Sequence, residues 1–172
     1  MKAKVYKSTG SWYTLKDERG EFWSGRIKGV LKLDDITSTN PVAVGDWVEA
    51  DPENENDKTA VISEILHRHN YINRQSPRHK HQHHIVAANL DQSVLIATLK
   101  EPRTSLGFID RFLVASEMYH VPALIVFNKS DLYKGKELEK YEAWKEMYEA
   151  IGYKVLLVSA EKKEGIEELI TL

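Results

Sequence analysis

Asn128, Lys129 and Asp131 stand together in the tetrapeptide Asn128-Lys129-Ser130-Asp131, directly after the apolar run Val121-Pro122-Ala123-Leu124-Ile125-Val126-Phe127. That run reads as a buried strand, with Pro122 near its start, where proline is tolerated. In an open α/β sheet, ligands bind outside the carboxyl ends of the strands, so the tetrapeptide stands where a ligand would. Its chemistry suits guanine. A carboxylate such as Asp131 can accept two parallel hydrogen bonds, one from the ring N–H and one from the exocyclic amine. Adenine offers no such donor pair on that edge, and a buried carboxylate left unpaired costs several kcal/mol. Asn128 can bond ring acceptors and nearby loops, and the alkyl stem of Lys129 can lie flat on a base. Ser159-Ala160-Glu161 follows the next apolar strand, thirty-one residues beyond Asn128, where a backbone N–H can reach the guanine O6. The competing reading is a helix-entry turn capped by Asp131.

A GTPase also needs a phosphate cradle, Gly-x4-Gly-Lys-Ser/Thr, ordinarily upstream of the base-reading motif. None is present: of the nine glycines only Gly135 precedes a lysine, and Glu137 follows that. Phosphoryl transfer depends on positioned phosphates and magnesium, so no residue of the chain is assigned as catalytic. Two explanations stand: the phosphate half follows the base half and is missing from the chain, or it never existed.

The elements that must hold the motif form an alternating series. Ser93-Val94-Leu95-Ile96-Ala97-Thr98-Leu99 reads as a strand buried on both faces. Phe108 to Tyr119 has helical spacing, with Phe108, Phe112, Ala115 and Tyr119 on or near one face. The Val121–Phe127 strand follows, then a charged helix over Glu137–Ile151 stopped by Gly152. Val155-Leu156-Leu157-Val158 is a third strand, and Gly165 opens a last helix. Such β-α-β-α-β-α order predicts a parallel α/β sheet.

The first half predicts a different architecture. Lys4-Val5-Tyr6, Trp12-Tyr13-Thr14-Leu15, Phe22-Trp23 continuing through Gly25 to Leu31, Asp46-Trp47-Val48-Glu49-Ala50 and Ala60 to Leu66 are five short strands. Turns fall at Gly10-Ser11, at Asp17-Glu18-Arg19-Gly20 and over Pro52–Lys58. The pattern matches a small barrel of OB type, and an SH3-like barrel fits the count almost as well. OB barrels often bind single-stranded nucleic acid by stacking beside positive charge, a role open to Trp12, Tyr13, Phe22 and Trp23.

Between Glu64 and Asp91 there is no acidic residue, while Arg68, Arg74, Arg78, Lys80 and six histidines fall there. The competing reading of this stretch is a solvated linker. As a footprint for phosphate backbones, with cations of the barrel added, it makes Trp12, Arg26, Lys28, Arg68, Arg74, Arg78 and Lys80 the candidate RNA contacts. His79, His81, His83 and His84 could ligate Zn, Ni or Cu. Their spacing and the want of a nearby carboxylate favour a solvated loop instead, so no metal is assigned.

Composition excludes other classes. The 172 residues carry 24 Lys+Arg against 26 Asp+Glu, and 42% are apolar, which excludes a disordered tail and a supercharged polycation. The absence of cysteine excludes disulfides and thiolate zinc sites within this chain. No apolar run approaches a membrane span, and the start lacks a signal-peptide core, so the expected compartment is the cytoplasm.

The ordered motif set resembles a known family. Thr9-Gly10-Ser11-Trp12-Tyr13, Val44-Gly45-Asp46-Trp47-Val48, Asn70-Tyr71-Ile72-Asn73-Arg74, Ala88-Asn89-Leu90-Asp91-Gln92 and Ile109-Asp110-Arg111-Phe112-Leu113 precede Asn128–Asp131 and Val158-Ser159-Ala160. Over essentially all 172 residues the chain resembles the N-terminal part of the ribosome-small-subunit-dependent GTPases (RsgA, also YjeQ), circularly permuted GTPases with an N-terminal OB domain. In that family the base motifs come first and the P-loop follows, which explains the missing cradle.

The resemblance implies a cytoplasmic GTPase acting late in small-subunit maturation, stimulated by that subunit. Its OB domain would contact ribosomal RNA near the decoding region. Its partners would be the small ribosomal subunit, its rRNA and guanine nucleotide (GTP or GDP), with no membrane, and the chain would be a monomer. By position, Asn128, Lys129 and Asp131 would read guanine, with Ser159 and Ala160 in the closing loop. Glu161 stands where many GTPases have lysine, so no second-face stacking carries over. Mg2+ would serve the complete protein, and Zn2+ a C-terminal domain absent here. The expected organisation is an OB-fold RNA-binding domain over 1–70, a basic, histidine-rich linker over 71–88, and a truncated, N-terminal half of the permuted GTPase domain over 89–172. The fragment alone is expected to be inactive. The alternative is a stand-alone OB-fold RNA-binding module with a non-catalytic α/β scaffold.

Overall fold

The computed structural model describes residues 1–27, 41–75 and 83–172, which fall into two compact units, Met1–Leu90 and Asp91–Leu172. In the first, β1 (Lys2–Thr9), β2 (Trp12–Asp17), β3 (Phe22–Ile27), β4 (Trp47–Asn54) and β5 (Thr59–Ile65) close a barrel in the order β1-β2-β3-β5-β4. All neighbours are antiparallel except β3 and β5, which run parallel. That order and closure settle the choice between small barrels in favour of the OB type.

Alternation builds the barrel core. Ala3, Val5, Tyr13, Leu15, Trp23, Val48, Ala50, Ala60 and Ile62 point inward and are buried. Gly25 lies opposite Tyr13 on β2, where a Cβ would meet Leu15 Cδ1 at 2.7 Å; its missing side chain makes room for that leucine. The turn expected over Pro52–Lys58 is shorter, because β4 continues through Pro52 to Asn54. Residues 28–31, expected to extend β3, lie outside the described residues.

The stretch expected to be a linker instead carries paired strands. β6 (Tyr71–Gln75) and β7 (His83–Ala88) form an antiparallel pair belonging to the barrel unit. Side-chain amides fasten it there. Asn70 Oδ1 accepts from Leu90 N at 2.7 Å, and Asn70 Nδ2 donates to Leu90 O at 2.8 Å. Asn89 Oδ1 accepts from His69 N at 3.1 Å, and its Nδ2 donates to Gly45 O at 3.1 Å. Gly45 has φ +91°, and a Cβ there would fall 2.0 Å from Ala88 O, so this crossing of backbones needs glycine. The unit boundary consequently lies after Leu90.

The second unit has a three-stranded parallel sheet, order β10-β9-β8, from β8 (Ser93–Ala97), β9 (Ala123–Phe127) and β10 (Lys154–Leu157). Helices α1 (Leu106–Met118), α2 (Lys136–Ala150) and α3 (Ile166–Ile170) alternate with the strands. Leu95, Ala97, Ile125, Phe127 and Val155 share one core with Ile109 and Leu113 of α1 and Tyr141 and Tyr148 of α2. Leu124, Val126, Leu156 and Val158 form the other core, against Ile166 and Leu169 of α3.

Two expectations change. β8 is not buried on both faces: Val94 and Ile96 are 42% and 55% exposed. It is one of the two edge strands of the described sheet, and no described helix covers its second face. The buried face of α1 carries Ile109, Leu113 and Ser116, while Phe108 is 49% exposed. Ser105 caps α1 by accepting from Phe108 N, which fixes where the helix starts and therefore which stripe meets the sheet.

Candidate functional site

Parallel pairing brings three strand ends together. Asn128 N donates to Ala97 O at 2.8 Å, Val158 N to Phe127 O at 2.8 Å and Ser130 N to Val158 O at 3.1 Å. The Asn128–Asp131 tetrapeptide therefore leaves the middle strand between the ends of its two neighbours. Lys129 takes a left-handed conformation at φ 66°, ψ 38°, and a 3-10 turn over Ser130–Leu132 follows. A non-glycine residue in that region carries a local cost that surrounding bonds must offset.

Those bonds come from the motif residues themselves. Asn128 Oδ1 accepts from Lys129 N at 2.7 Å and from Ala160 N at 3.0 Å. Ser159 Oγ donates to Asp131 Oδ1 at 2.5 Å and accepts from Lys162 N at 3.1 Å. Ser159 is fully buried, whereas Asp131 and Ala160 are exposed. The two sequence motifs thus form one bonded loop cluster. The carboxylate is held through Oδ1, and Oδ2 makes no hydrogen bond among the described residues. An oxygen pair steadied from one side and open on the other can accept the paired donors of a guanine edge.

Two participants had no signal in the sequence. Tyr133 OH donates to Asn128 O at 2.6 Å and accepts from Leu99 N at 2.9 Å, bracing the turn from below. Burial holds that hydroxyl protonated above the usual tyrosine range, with the Asp131 charge acting in the same direction. Lys129 Nζ donates to the Glu101 carbonyl, which draws its alkyl stem across the loop after β8. A tyrosine two positions after Asp131 follows no periodicity, and a carbonyl acceptor has no sequence signature.

The candidate RNA contacts fare unevenly. Trp12 is 53% exposed. Arg26 is committed to Glu53, with Nη2 2.5 Å and Nε 3.1 Å from its carboxylate oxygens. Arg68 is not a surface cation. Its Nε and Nη2 each lie 2.6 Å from an oxygen of Asp46, Nη2 also donates to Pro41 O at 2.8 Å, and the two side chains are 9% and 0% exposed. The acid-free window concealed this because the partner carboxylate comes from 22 residues upstream. Arg74 lies on β6; Lys28, Arg78, Lys80, His79 and His81 lie outside the described residues. The described residues hold no cluster of three or more His, Cys, Asp or Glu that could bind a metal. The Mg2+ and Zn2+ implied by the resemblance are thus assigned to no residue here.

The fold is that of the permuted-GTPase class, an OB-type barrel ahead of a partial α/β domain. Residues 65–172 match the RsgA GTPase family model and residues 2–62 the RsgA N-terminal domain model. The chain belongs to the RsgA GTPase family.

Relatives agree over nearly the whole chain. It is 46% identical over 172 residues to the small ribosomal subunit biogenesis GTPase RsgA of Cytophaga hutchinsonii, covering 100% of this chain and 56% of that protein. It is 47% identical over 170 residues to the protein of the same name from Flavobacterium psychrophilum, covering 98% and 52%. Among solved structures, YjeQ from Thermotoga maritima superimposes with a TM-score of 0.79 at 32% identity, covering 99% of this chain and 55% of that one. YloQ, described as a circularly permuted GTPase, gives 0.73 at 28% identity, with 99% and 55% covered. The chain therefore spans about half the length of the curated relatives it matches.

Proposed function

We propose that this chain supplies the RNA-contacting barrel and the guanine-reading half of a GTPase that serves late maturation of the small ribosomal subunit. The reading rests above all on one observation: Asn128–Asp131 and Ser159–Ala160 meet at adjacent strand ends, joined by the Ser159–Asp131 and Ala160–Asn128 hydrogen bonds. In this reading Asp131 accepts the ring N–H and exocyclic amine of guanine. The Ser159–Asp131 bond holds the two loops together, the Lys129 stem covers one face of the base, and the Ala160 N–H turns from Asn128 to the guanine O6, leaving the Asn128 amide to the ring acceptors. GTP or GDP is the ligand. The names of the relatives support the small ribosomal subunit as partner; contact with its RNA, the cytoplasm as compartment and a monomer as working form belong to the same proposal.

Hydrolysis belongs to the complete protein, because this sequence contains no Gly-x4-Gly-Lys-Ser/Thr segment to cradle phosphates. The test is GTP hydrolysis by the complete gene product, with and without small ribosomal subunits, beside residues 1–172 alone. Stimulation by the subunits and no hydrolysis by residues 1–172 are expected. A complete product indifferent to the subunits would overturn the subunit assignment. Turnover by residues 1–172 would overturn the division of labour.

A further inference from the structure

The outer face of the barrel carries a row of side chains in cross-strand register. Trp47 on β4 lies opposite Lys4 on β1, Lys4 opposite Lys16 on β2, and Lys16 opposite Phe22 on β3. Two lysines directly opposite on an antiparallel ladder repel one another, a placement that costs stability unless negative charge lies above them. Among the described residues, no carboxylate forms an ion pair with Lys4 or Lys16.

The lysines lie over aromatic rings instead. Lys4 Nζ is 5.8 Å from the centre of Trp47, and Lys2 Nζ is 4.9 Å from it. Lys16 Nζ is 5.4 Å from both Tyr6 and Phe22, whose rings meet edge to face at 5.7 Å. Tyr6 occupies the β1 bulge between Val5 and Lys7, which turns an extra side chain onto this face. Tyr6 and Phe22 remain 50% and 54% exposed. The row ends on acids rather than containing them: Glu49 lies opposite Lys2 and 3.7 Å from the amino terminus, and Glu64 lies opposite Glu49 on β5.

We propose that this face, Trp47-Lys4-Lys16-Phe22 with Tyr6, is where the barrel takes single-stranded RNA, its aromatic rings stacking unpaired bases while Lys4 and Lys16 meet the phosphates. The inference rests on the reading that the barrel contacts RNA and relocates that contact away from Arg68. Charge complementarity selects a polyanion. Exposed rings beside the lysines select one with planar bases, since stacking works for any base and adds to the phosphate attraction.

The test titrates the full chain with a fluorescein-labelled oligouridylate over a range of salt concentrations, reading anisotropy. Lys4→Gln with Lys16→Gln is expected to lower affinity about ten-fold and to reduce the salt slope by about 1.4. Phe22→Leu and Tyr6→Leu keep the apolar bulk but remove the rings, and each is expected to cost at least about five-fold with the slope unchanged. Lys140→Gln, which removes a lysine over Trp144 in the α/β unit, is the control and leaves binding unaltered. Thermal melts check that every variant remains folded. Wild-type affinity retained by the folded variants overturns the location while leaving the RNA reading intact. No RNA binding by the wild-type chain even at low salt overturns both. Loss in the lysine variants alone, or equal binding of polyglutamate, would make the face a general cation patch or an acidic-protein site and also overturns the proposal.

Discussion

Ser159 donates its hydroxyl proton to Asp131 Oδ1 across 2.5 Å, from a fully buried position at the end of one strand to an exposed carboxylate beyond the end of the next. The bond fixes the rotation of a side chain that solvent would otherwise leave free. Ser159→Ala should therefore weaken guanine nucleotide binding by the complete gene product about 5- to 10-fold without unfolding it. Titration with a fluorescent GDP analogue reads this directly. Unchanged affinity would mean that the carboxylate needs no holding.

Asp131→Asn should exchange guanine for xanthine. The Oδ1 that accepts from Ser159 is retained, and an amide donor replaces the open Oδ2. That donor repels the exocyclic amine of guanine but matches the carbonyl of xanthine. Guanine nucleotide affinity should fall about 100-fold or more while xanthosine diphosphate gains. Equal loss of both nucleotides, with a normal melting curve, would remove Asp131 from base reading.

Arg68 and Asp46 form a buried pair in the barrel unit, so removing the cation strands a charge. Arg68→Met should cost about 3–5 kcal/mol of stability, measured by denaturant unfolding followed through barrel tryptophan fluorescence. The salt slope of RNA binding by the folded variant should equal that of the wild type. Intact stability with a shallower slope would return Arg68 to the RNA surface.

Tyr141 should make the α/β unit sensitive to alkali. Burial first, then the charges of Glu142, Glu149 and Glu168, raise its hydroxyl from 10.0 to about 12. A group whose folded pKa is raised contributes stability that is complete below the unfolded value and lost as pH rises through the folded one. Stability should fall between pH 10.0 and about 12, and Tyr141→Phe should flatten that fall. Identical pH profiles for the two proteins would exclude Tyr141 as a source.

Much of the site was legible because its chemistry is local. Asn128 to Asp131 are contiguous, they follow an apolar run, and Ser159-Ala160 follows the next one. The strands of the barrel were legible too, but not which of their aromatics face inward: Tyr13 and Trp23, left open to stacking by the sequence, are buried in the barrel core, whereas Trp12 and Phe22 are exposed. The strands and the Asn128–Asp131 turn thus follow from sequence alone, since each is set by contiguous residues.

What only the tertiary structure decided concerns partners distant along the chain. Arg68 looked free until the fold brought Asp46 beside it. The basic stretch looked like a linker until Asn70 and Asn89 fastened its strands to the barrel unit. Tyr133 and the Glu101 carbonyl entered the site through packing and backbone geometry. The row from Trp47 to Phe22 exists because barrel closure places β4 beside β1. A sequence records which groups are present; pairing them over tens of residues depends on register and closure, which are set when the core is buried.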